Sequence, residues 1–280
     1  MCSVCLGYGC MGQLPGMGGI RNSENFILNC KGWKLLPDGP FEYRTVPVRL
    51  APMTGGQMNV GHPDEERFYT DMIGACVRGG IELSIGDGSP DTKLLWGIKA
   101  VREAGKKAAV FIKPYENRRV LERLEWAQEI ASHGGIDIDA YNIATMRNQA
   151  KLEKKTASNL NEIKKFLSGR GIPFVIKGIF TREDMDLVRE LRPDVAFVSN
   201  HGGRVDGPKG STAEFLRNNI EELKKNCGNV WVDGGIRDSV DYAKAVSWGA
   251  DEVLVGRPFA TAVLPEFNGV FPDKKFFCGQ

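Results

Sequence analysis

An imidazole, a guanidinium and a pair of adjacent glycines fall within one short stretch of this chain, Val198-Ser199-Asn200-His201-Gly202-Gly203-Arg204-Val205-Asp206-Gly207. Imidazole takes a proton near neutral pH. Guanidinium holds a carboxylate through two parallel hydrogen bonds. Adjacent glycines let the backbone turn tightly and admit a ligand. One turn therefore offers a base beside a carboxylate clamp, which suits proton removal from a small organic acid. The competing reading is an ordinary strand-to-helix loop. Arg204 and the glycines favour chemistry.

Three further sites carry functional residue types. Asp233-Gly234-Gly235-Ile236-Arg237 and Val255-Gly256-Arg257-Pro258-Phe259 each follow an apolar run. Small residues in two such loops leave backbone N–H groups free to face an anion, and Arg237 and Arg257 add charge. Phe174-Val175-Ile176-Lys177-Gly178 ends an apolar run in a cation, which could stabilise negative charge on a ligand. Cys2, Cys5 and Cys10 have the spacing of half a metal site, with Cys30 the nearest fourth thiol. Without a second Cys-x-x-Cys pair, the expectation is no metal.

These loops need a frame. Short apolar runs at 48–52, 81–84, 108–112, 136–139, 174–177, 195–199, 230–233 and 252–255 read as strands. Helical patterns lie between them, among others at 64–77, 119–132, 159–167, 182–191, 212–225 and 239–248. Continuous apolar strands alternating with helices mean a parallel sheet covered on both faces. Eight such units predict an α/β fold of the (β/α)8 TIM-barrel type, with polar residues gathered at the strand C-termini. A doubly wound open sheet is the alternative. Residues 1–47 show no barrel unit and read as an N-terminal cap. Residues 48–280 form the single catalytic domain. Only 259–264 could begin an eighth helix before Pro265, and 267–280 read as irregular, so the C-terminal end looks shortened.

Composition narrows the partners. The 37 basic and 35 acidic residues leave a net charge of +2, no footprint for nucleic acid. No apolar run approaches the roughly 20 residues needed to span a bilayer. The N-terminus lacks the basic flank and apolar core of a signal peptide. A soluble cytoplasmic protein is expected, with its cysteines outside any disulfide framework.

Ser199-Asn200-His201-Gly202-Gly203-Arg204 resembles the signature of the FMN-dependent α-hydroxy-acid oxidases and dehydrogenases, the glycolate oxidase and lactate oxidase group. The resemblance is strongest over 173–259 and continues more weakly back to about residue 50. It implies FMN as cofactor, His201 as catalytic base and Arg204 as carboxylate ligand. Asp233, Gly235, Arg237, Gly256 and Arg257 match the residues that hold the FMN phosphate and ribityl chain. Lys177 matches the lysine on the N1–C2=O side of the flavin. Pro52, Met53, Thr54, Ser84 and Ser199 fall at further cofactor positions. Asp139 matches the aspartate that pairs with the catalytic histidine.

The resemblance also has departures. Lys113 stands where the oxidases carry Gln, two residues before a substrate-binding tyrosine matched by Tyr115. That would put a second positive charge by the flavin. Asp137 stands where they carry Thr. Its carboxylate could repel an anionic substrate or pair with Lys113. Period-two spacing would put Asp137 and Asp139 on one side of a strand. Helix capping is the plain alternative for both. Arg147 is the nearest candidate for a second substrate arginine, in a reduced lid loop. The glycine-rich run 12–19 resembles the segment that precedes the family's barrel, and Tyr8 is the nearest match to its N-terminal substrate tyrosine.

The expected reaction is FMN-dependent oxidation of a small L-2-hydroxy acid, lactate- or glycolate-like, to the 2-oxo acid. The electron acceptor is oxygen or another carrier. A homo-oligomer is compatible with this reading. No strand–GxGxxG–helix pattern calls for bound NAD. The alternatives are an FMN-dependent isomerase of the isopentenyl diphosphate isomerase type and a catalytically silent flavin- or phosphate-binding barrel.

Overall fold

Eight short strands hydrogen-bond side by side, every pair parallel, in the order β1-β8-β7-β6-β5-β4-β3-β2. They are β1 (Val48–Leu50), β2 (Leu83–Gly86), β3 (Ala108–Ile112), β4 (Ala131–Asp137), β5 (Phe174–Ile179), β6 (Val195–Val198), β7 (Asn229–Val232) and β8 (Glu252–Val255). The computed structural model describes residues 24–147, 150–267 and 269–279. The ends of the sheet meet through a bridge between Arg49 and Glu82. There Leu50 N–H donates to Glu82 O at 2.8 Å and Glu82 N–H to Val48 O at 2.9 Å. The sheet is therefore a barrel, as the strand–helix alternation predicts.

Helix α1 (Glu24–Leu35) precedes β1. After β1 to β3 come α2 (Glu65–Arg78), α3 (Thr92–Glu103) and α4 (Asn117–Ala127). α5 (Ala144–Arg147) and α6 (Ala157–Ser168) follow β4, and α7 (Arg182–Leu191) follows β5. α8 (Thr212–Asn226), α9 (Ser239–Ser247), α10 (Arg257–Ala262) and α11 (Lys274–Cys278) complete the chain. Local chemistry sets several starts. Thr181 caps α7 and Thr156 caps α6, each in a reciprocal box with the residue three positions on.

Period two along the strands explains where the site lies. Ala109, Phe111, Val175, Val195, Phe197, Trp231 and Leu254 fill the barrel interior as one cluster. Their alternates, such as Val110, Ile112, Ile176, Val198 and Val232, pack outward under the helices. Continuing each inward series by two residues gives Lys113, Lys177, Ser199, Asp233 and Gly256. The site residues are thus the next layer of an already packed barrel.

The structure corrects three sequence boundaries. The helix expected at 119–132 ends as α4 at Ala127, and β4 begins at Ala131. The run read at 136–139 catches only the end of this strand, because its earlier inward positions are His133, edge-on to Trp231 at 4.9 Å, and Gly135. A Cβ on Gly135 would lie 2.6 Å from the Phe111 ring. Second, Asp139 is not in the strand; it sits in a 3-10 turn, Ile138–Asn142. Third, the stretch expected to be irregular after residue 267 contains α11. Its Phe277 is buried against Phe259, at 5.7 Å between ring centroids.

The barrel floor carries a buried ion pair. Arg49 Nε donates to Glu252 Oε1 at 2.8 Å, its Nη1 donates to Leu83 O at 2.6 Å, and its guanidinium lies 4.8 Å from the Trp231 centroid. One side chain thus ties β1, β2 and β8 where the barrel closes. Burial pushes the Glu252 carboxyl up to about 7, although Arg49 pulls it down. The folded protein therefore binds this proton more tightly than the unfolded chain, whose carboxyl titrates near 4.5. Stability from this group is greatest at low pH and falls as pH rises from 4.5 through 7. The full window corresponds to roughly 3 kcal/mol. His133, pushed down to about 4 by burial and Arg49, acts with the opposite sign below its ordinary 6.5. Urea unfolding of wild type beside Glu252→Gln isolates this group: from about pH 8 to about pH 6.5 the wild type should gain about 1 kcal/mol more than the variant.

Candidate active site

Strand register brings the charged residues together. Asp137, the last residue of β4, pairs with Lys177 of β5 in the sheet. Their side chains meet as an ion pair, Nζ to Oδ1 at 2.5 Å, with Asp139 Oδ1 at 3.8 Å from the same ammonium. Asp137 therefore pairs with Lys177 and not, as one expectation had it, with Lys113. His201 follows β6, and its Nδ1 lies 3.1 Å from Asp139 Oδ1 and 3.6 Å from Asp137 Oδ2. With Nδ1 held, Nε2 is the nitrogen left for a reacting group.

Electrostatics prepares these groups for their roles. Burial holds the His201 imidazole well below its ordinary value, against the pull of Asp137 and with the help of Lys177 and Arg204. It is a neutral base at pH 7. Burial alone would strip the Lys177 ammonium, but Asp137, Asp139 and Asp233 outweigh it and hold its pKa above the ordinary range. Burial pushes Asp233 up to about 6, opposed by Lys177 and a hydrogen bond from Ser199. Asp137, Asp139 and His201 also place ligand atoms within 4.8 Å of one another, a spacing a cation would accept. Lys177 already supplies a cation there.

His201 sits in the left-handed region at φ 57°, costly for a residue with a Cβ. The loop around it is held from outside the barrel. Asn200 Oδ1 accepts from Gly203 N–H at 2.9 Å and from Asn29 Nδ2 at 2.7 Å, while Asn200 Nδ2 donates to Asn29 Oδ1 at 3.1 Å. Asn29 Oδ1 also takes Thr212 N–H at 3.0 Å. Four residues before it, Asn25 bridges Pro208 O and Gly210 N–H; four after, Trp33 Nε1 donates to Gly234 O at 2.7 Å. Helix α1 therefore clamps the loops after β6 and β7. Sequence reasoning missed this helix because its buried face mixes asparagines with Phe26, Cys30 and Trp33, which blurs the apolar periodicity. The Asn25, Asn29, Trp33 spacing of i, i+4, i+8 was the available signal.

The clamp revises what the glycines do. A Cβ on Gly203 would meet Phe26 N at 2.3 Å, and one on Gly235 would meet Asn29 O at 2.2 Å. Both positions are glycine because α1 passes against them. Gly202, by contrast, has nothing within 4 Å of such a Cβ.

A single cavity of about 700 Å³, its open mouth included, collects most of the expected site. Pro52, Met53, Lys177, His201, Arg204, Asp233, Gly235, Arg237, Gly256 and Arg257 all line it, and Phe26 of α1 joins them unanticipated. Arg237 donates to Ile236 O and to Cys30 Sγ, and its Nε is buried with no partner. Ser199 lies just behind the wall, its Oγ accepting from His201 N–H at 3.1 Å. Ser84 is buried with its hydroxyl unpartnered, and the Thr54 methyl lies beside Gly86.

Asp139, which reaches the cavity through His201, is also outside the wall, as are Lys113, Tyr115 and Arg147. Lys113 is buried with its ammonium on the Asp87 carbonyl, and Asp87 is in turn paired with Arg123. Tyr115 is buried between the guanidinium groups of Arg119 and Arg123, at 4.7 and 4.8 Å, its hydroxyl unpartnered. Arg147 is exposed, donates to Tyr141 O at 2.6 Å and lies over the Tyr141 ring. Asp87 thus holds both Lys113, through its backbone N–H and its ammonium, and Arg123, and the short α5 ends at the exposed Arg147. Cys2, Cys5, Cys10, Tyr8 and the 12–19 run lie outside the described residues. Among the described residues, no helix is long and apolar enough to cross a membrane.

Comparison with known proteins agrees with this geometry. The family model for FMN-dependent dehydrogenases matches residues 97–268. 2-Hydroxyacid oxidase 2 of Rattus norvegicus is 34% identical over 98 residues, 35% of this chain and 28% of the relative. L-lactate dehydrogenase of Vibrio parahaemolyticus is 34% identical over 166 residues, 53% of this chain and 42% of the relative. The matched region thus spans less than half the length of these curated relatives. Among solved structures, mandelate oxidase superposes with a TM-score of 0.67 at 20% identity, covering 86% of this chain and 78% of that one. A flavocytochrome b2 variant gives 0.66 at 19%, covering 85% and 68%.

Proposed function

Since this chain belongs to the FMN-dependent dehydrogenase family, we propose that it oxidises a small L-2-hydroxy acid, of lactate or glycolate size, to the 2-oxo acid. The observation that carries this reading is the shared cavity: a neutral imidazole, a lysine ammonium and a guanidinium open onto the same space as two glycine–arginine loops.

The residues present fit FMN. Arg237 has a buried Nε without a partner, as expected of a group that awaits an anion. A Cβ on Gly256 would sit 3.2 Å from Met53 Sδ, so glycine there keeps the wall open between β8 and the β1 loop. Arg237, Arg257 and the N–H groups near Gly235 and Gly256 would hold the phosphate and ribityl chain. Pro52, Met53 and Lys177 would face the ring system. When bound, FMN supplies the acceptor for two electrons.

The chain's own residues do the rest. Arg204 takes the substrate carboxylate and orients the acid toward His201. His201 accepts the proton that leaves the substrate, through Nε2. Asp139 keeps Nδ1 protonated and offsets the positive charge that then forms on the ring. Lys177 keeps a positive charge where negative charge develops. The cavity must hold flavin and acid together, which favours a small acid. Cys30, Cys76, Cys227 and Cys278 are free thiols, in keeping with a cytoplasmic location.

Anaerobic mixing of the FMN-loaded protein with L-lactate, glycolate and mandelate tests the reading. Lactate or glycolate should bleach the flavin, and air should then distinguish an oxidase from a dehydrogenase. A yellow protein that no 2-hydroxy acid bleaches would overturn the activity and leave a silent flavin-binding barrel.

A further inference from the structure

We propose that Asp137 is a positioning residue that ties Lys177 to His201, withholding part of the lysine's charge from the cavity. The proposal rests on the FMN reading given above. Its basis is the way a single carboxylate is divided. Oδ1 lies 2.5 Å from the Lys177 ammonium, while Oδ2 lies 3.6 Å from His201 Nδ1. Asp139 already provides the closer carboxylate for the imidazole, at 3.1 Å, and stands 3.8 Å from the ammonium. The hydrogen bond that orients His201 is therefore made without Asp137. What Asp137 adds is negative charge, set against the one lysine that lines the cavity.

The arrangement is rigidly built. Asp137 and Lys177 are partners in the β4–β5 register, which keeps their side chains on neighbouring strands and in reach of each other. Both are buried, at 8% and 3% exposure, and solvent screens the pair weakly. A ligand that gains electron density beside Lys177 thus meets an ammonium whose field two carboxylates already reduce. Protonation of His201 changes the balance. An imidazolium attracts the Asp137 carboxylate through Oδ2, which loosens the hold of Oδ1 on Lys177 and makes more of its charge available to the cavity. Asp137 in this way couples arrival of a proton on His201 to the charge that Lys177 presents.

Sulfite is the probe. It adds to an oxidised flavin and bleaches it, and it does so more tightly when the protein presents more positive charge beside the ring. In the FMN-loaded protein, Asp137→Asn should tighten sulfite binding at least about tenfold and raise the flavin midpoint potential. Asp137→Ser should shift both in the same direction, separating charge from amide geometry and carrying the test if the Asn variant fails to fold. Lys177→Met should weaken sulfite binding. In the Lys177→Met background the effect of Asp137→Asn should largely disappear, because the carboxylate acts through the lysine. A purely structural role for Asp137 would not give this loss of additivity. Unchanged or weaker sulfite binding in yellow, folded Asp137 variants overturns the proposal while leaving the FMN reading intact. A wild-type protein that takes up no FMN overturns both.

Discussion

His201→Ala should leave FMN bound and slow its reduction by the preferred 2-hydroxy acid by about 10²–10⁴-fold, the usual contribution of a positioned base. The geometry separates the two effects. His201 is reached by Asp139 and Asp137 from the β4 side, whereas the anion-binding loops lie after β7 and β8. The cavity should therefore keep its hold on phosphate when the imidazole is removed. Burial keeps His201 neutral at pH 7, so reduction by the wild type should persist into mildly acidic solution and fail only where the imidazole protonates. Stopped-flow reduction with flavin fluorescence as the binding control makes both measurements. Unchanged reduction in the alanine variant would remove His201 as the base. Loss of FMN binding would mean that the histidine holds the cofactor.

The second large effect concerns stability. Gly202 and Gly203 are adjacent, both at positive φ, 66° and 88°. Gly202→Ala adds a methyl group to open space and should cost only left-handed strain, about 1–2 kcal/mol. Gly203→Ala drives its Cβ against the α1 backbone, 2.3 Å from Phe26 N and 2.5 Å from Phe26 Cα. Backbone cannot rotate aside as a side chain can, so α1 or the His201 loop must move. A loss of about 3 kcal/mol or more is expected, from strain and broken packing together. Displacing α1 would also break the Asn29–Asn200 amide pair and loosen the turn that carries His201. Chemical unfolding of the two variants should therefore give clearly different midpoints. Equal costs would show that α1 does not seat on this loop as described.

Much of the architecture was legible in the chain. Residues 195–198, 174–176 and 253–255 are short apolar runs followed by Ser199, Lys177 and Gly256. Such a pattern has few solutions other than a parallel barrel with its chemistry at the strand ends. Even the identity of the site layer follows, because period two carries Phe197 to Ser199, Val175 to Lys177 and Trp231 to Asp233. Local types and spacing put His201, Arg204, Arg237 and Arg257 just beyond strand ends, and all four line the same cavity.

The remainder depended on contacts between residues far apart in the chain, and no window of sequence contains them. Lys177 was readable as a cation at a strand end, but its partner was set by β4–β5 register, which gave Asp137 to Lys177 and not to Lys113. Lys113 and Tyr115 were readable as strand-end residues, yet the Asp87 carbonyl takes the Lys113 ammonium and two guanidinium groups enclose the Tyr115 ring, so neither lines the cavity. Gly203 and Gly235 looked like openings for a ligand and proved to be clearances for α1. That helix lies more than 160 residues before the loop it clamps, and its buried face sets Asn25 and Asn29 among Phe26, Cys30 and Trp33. Hydrophobic periodicity reports which face of an element is dry; it carries no information on which distant backbone a buried amide will satisfy.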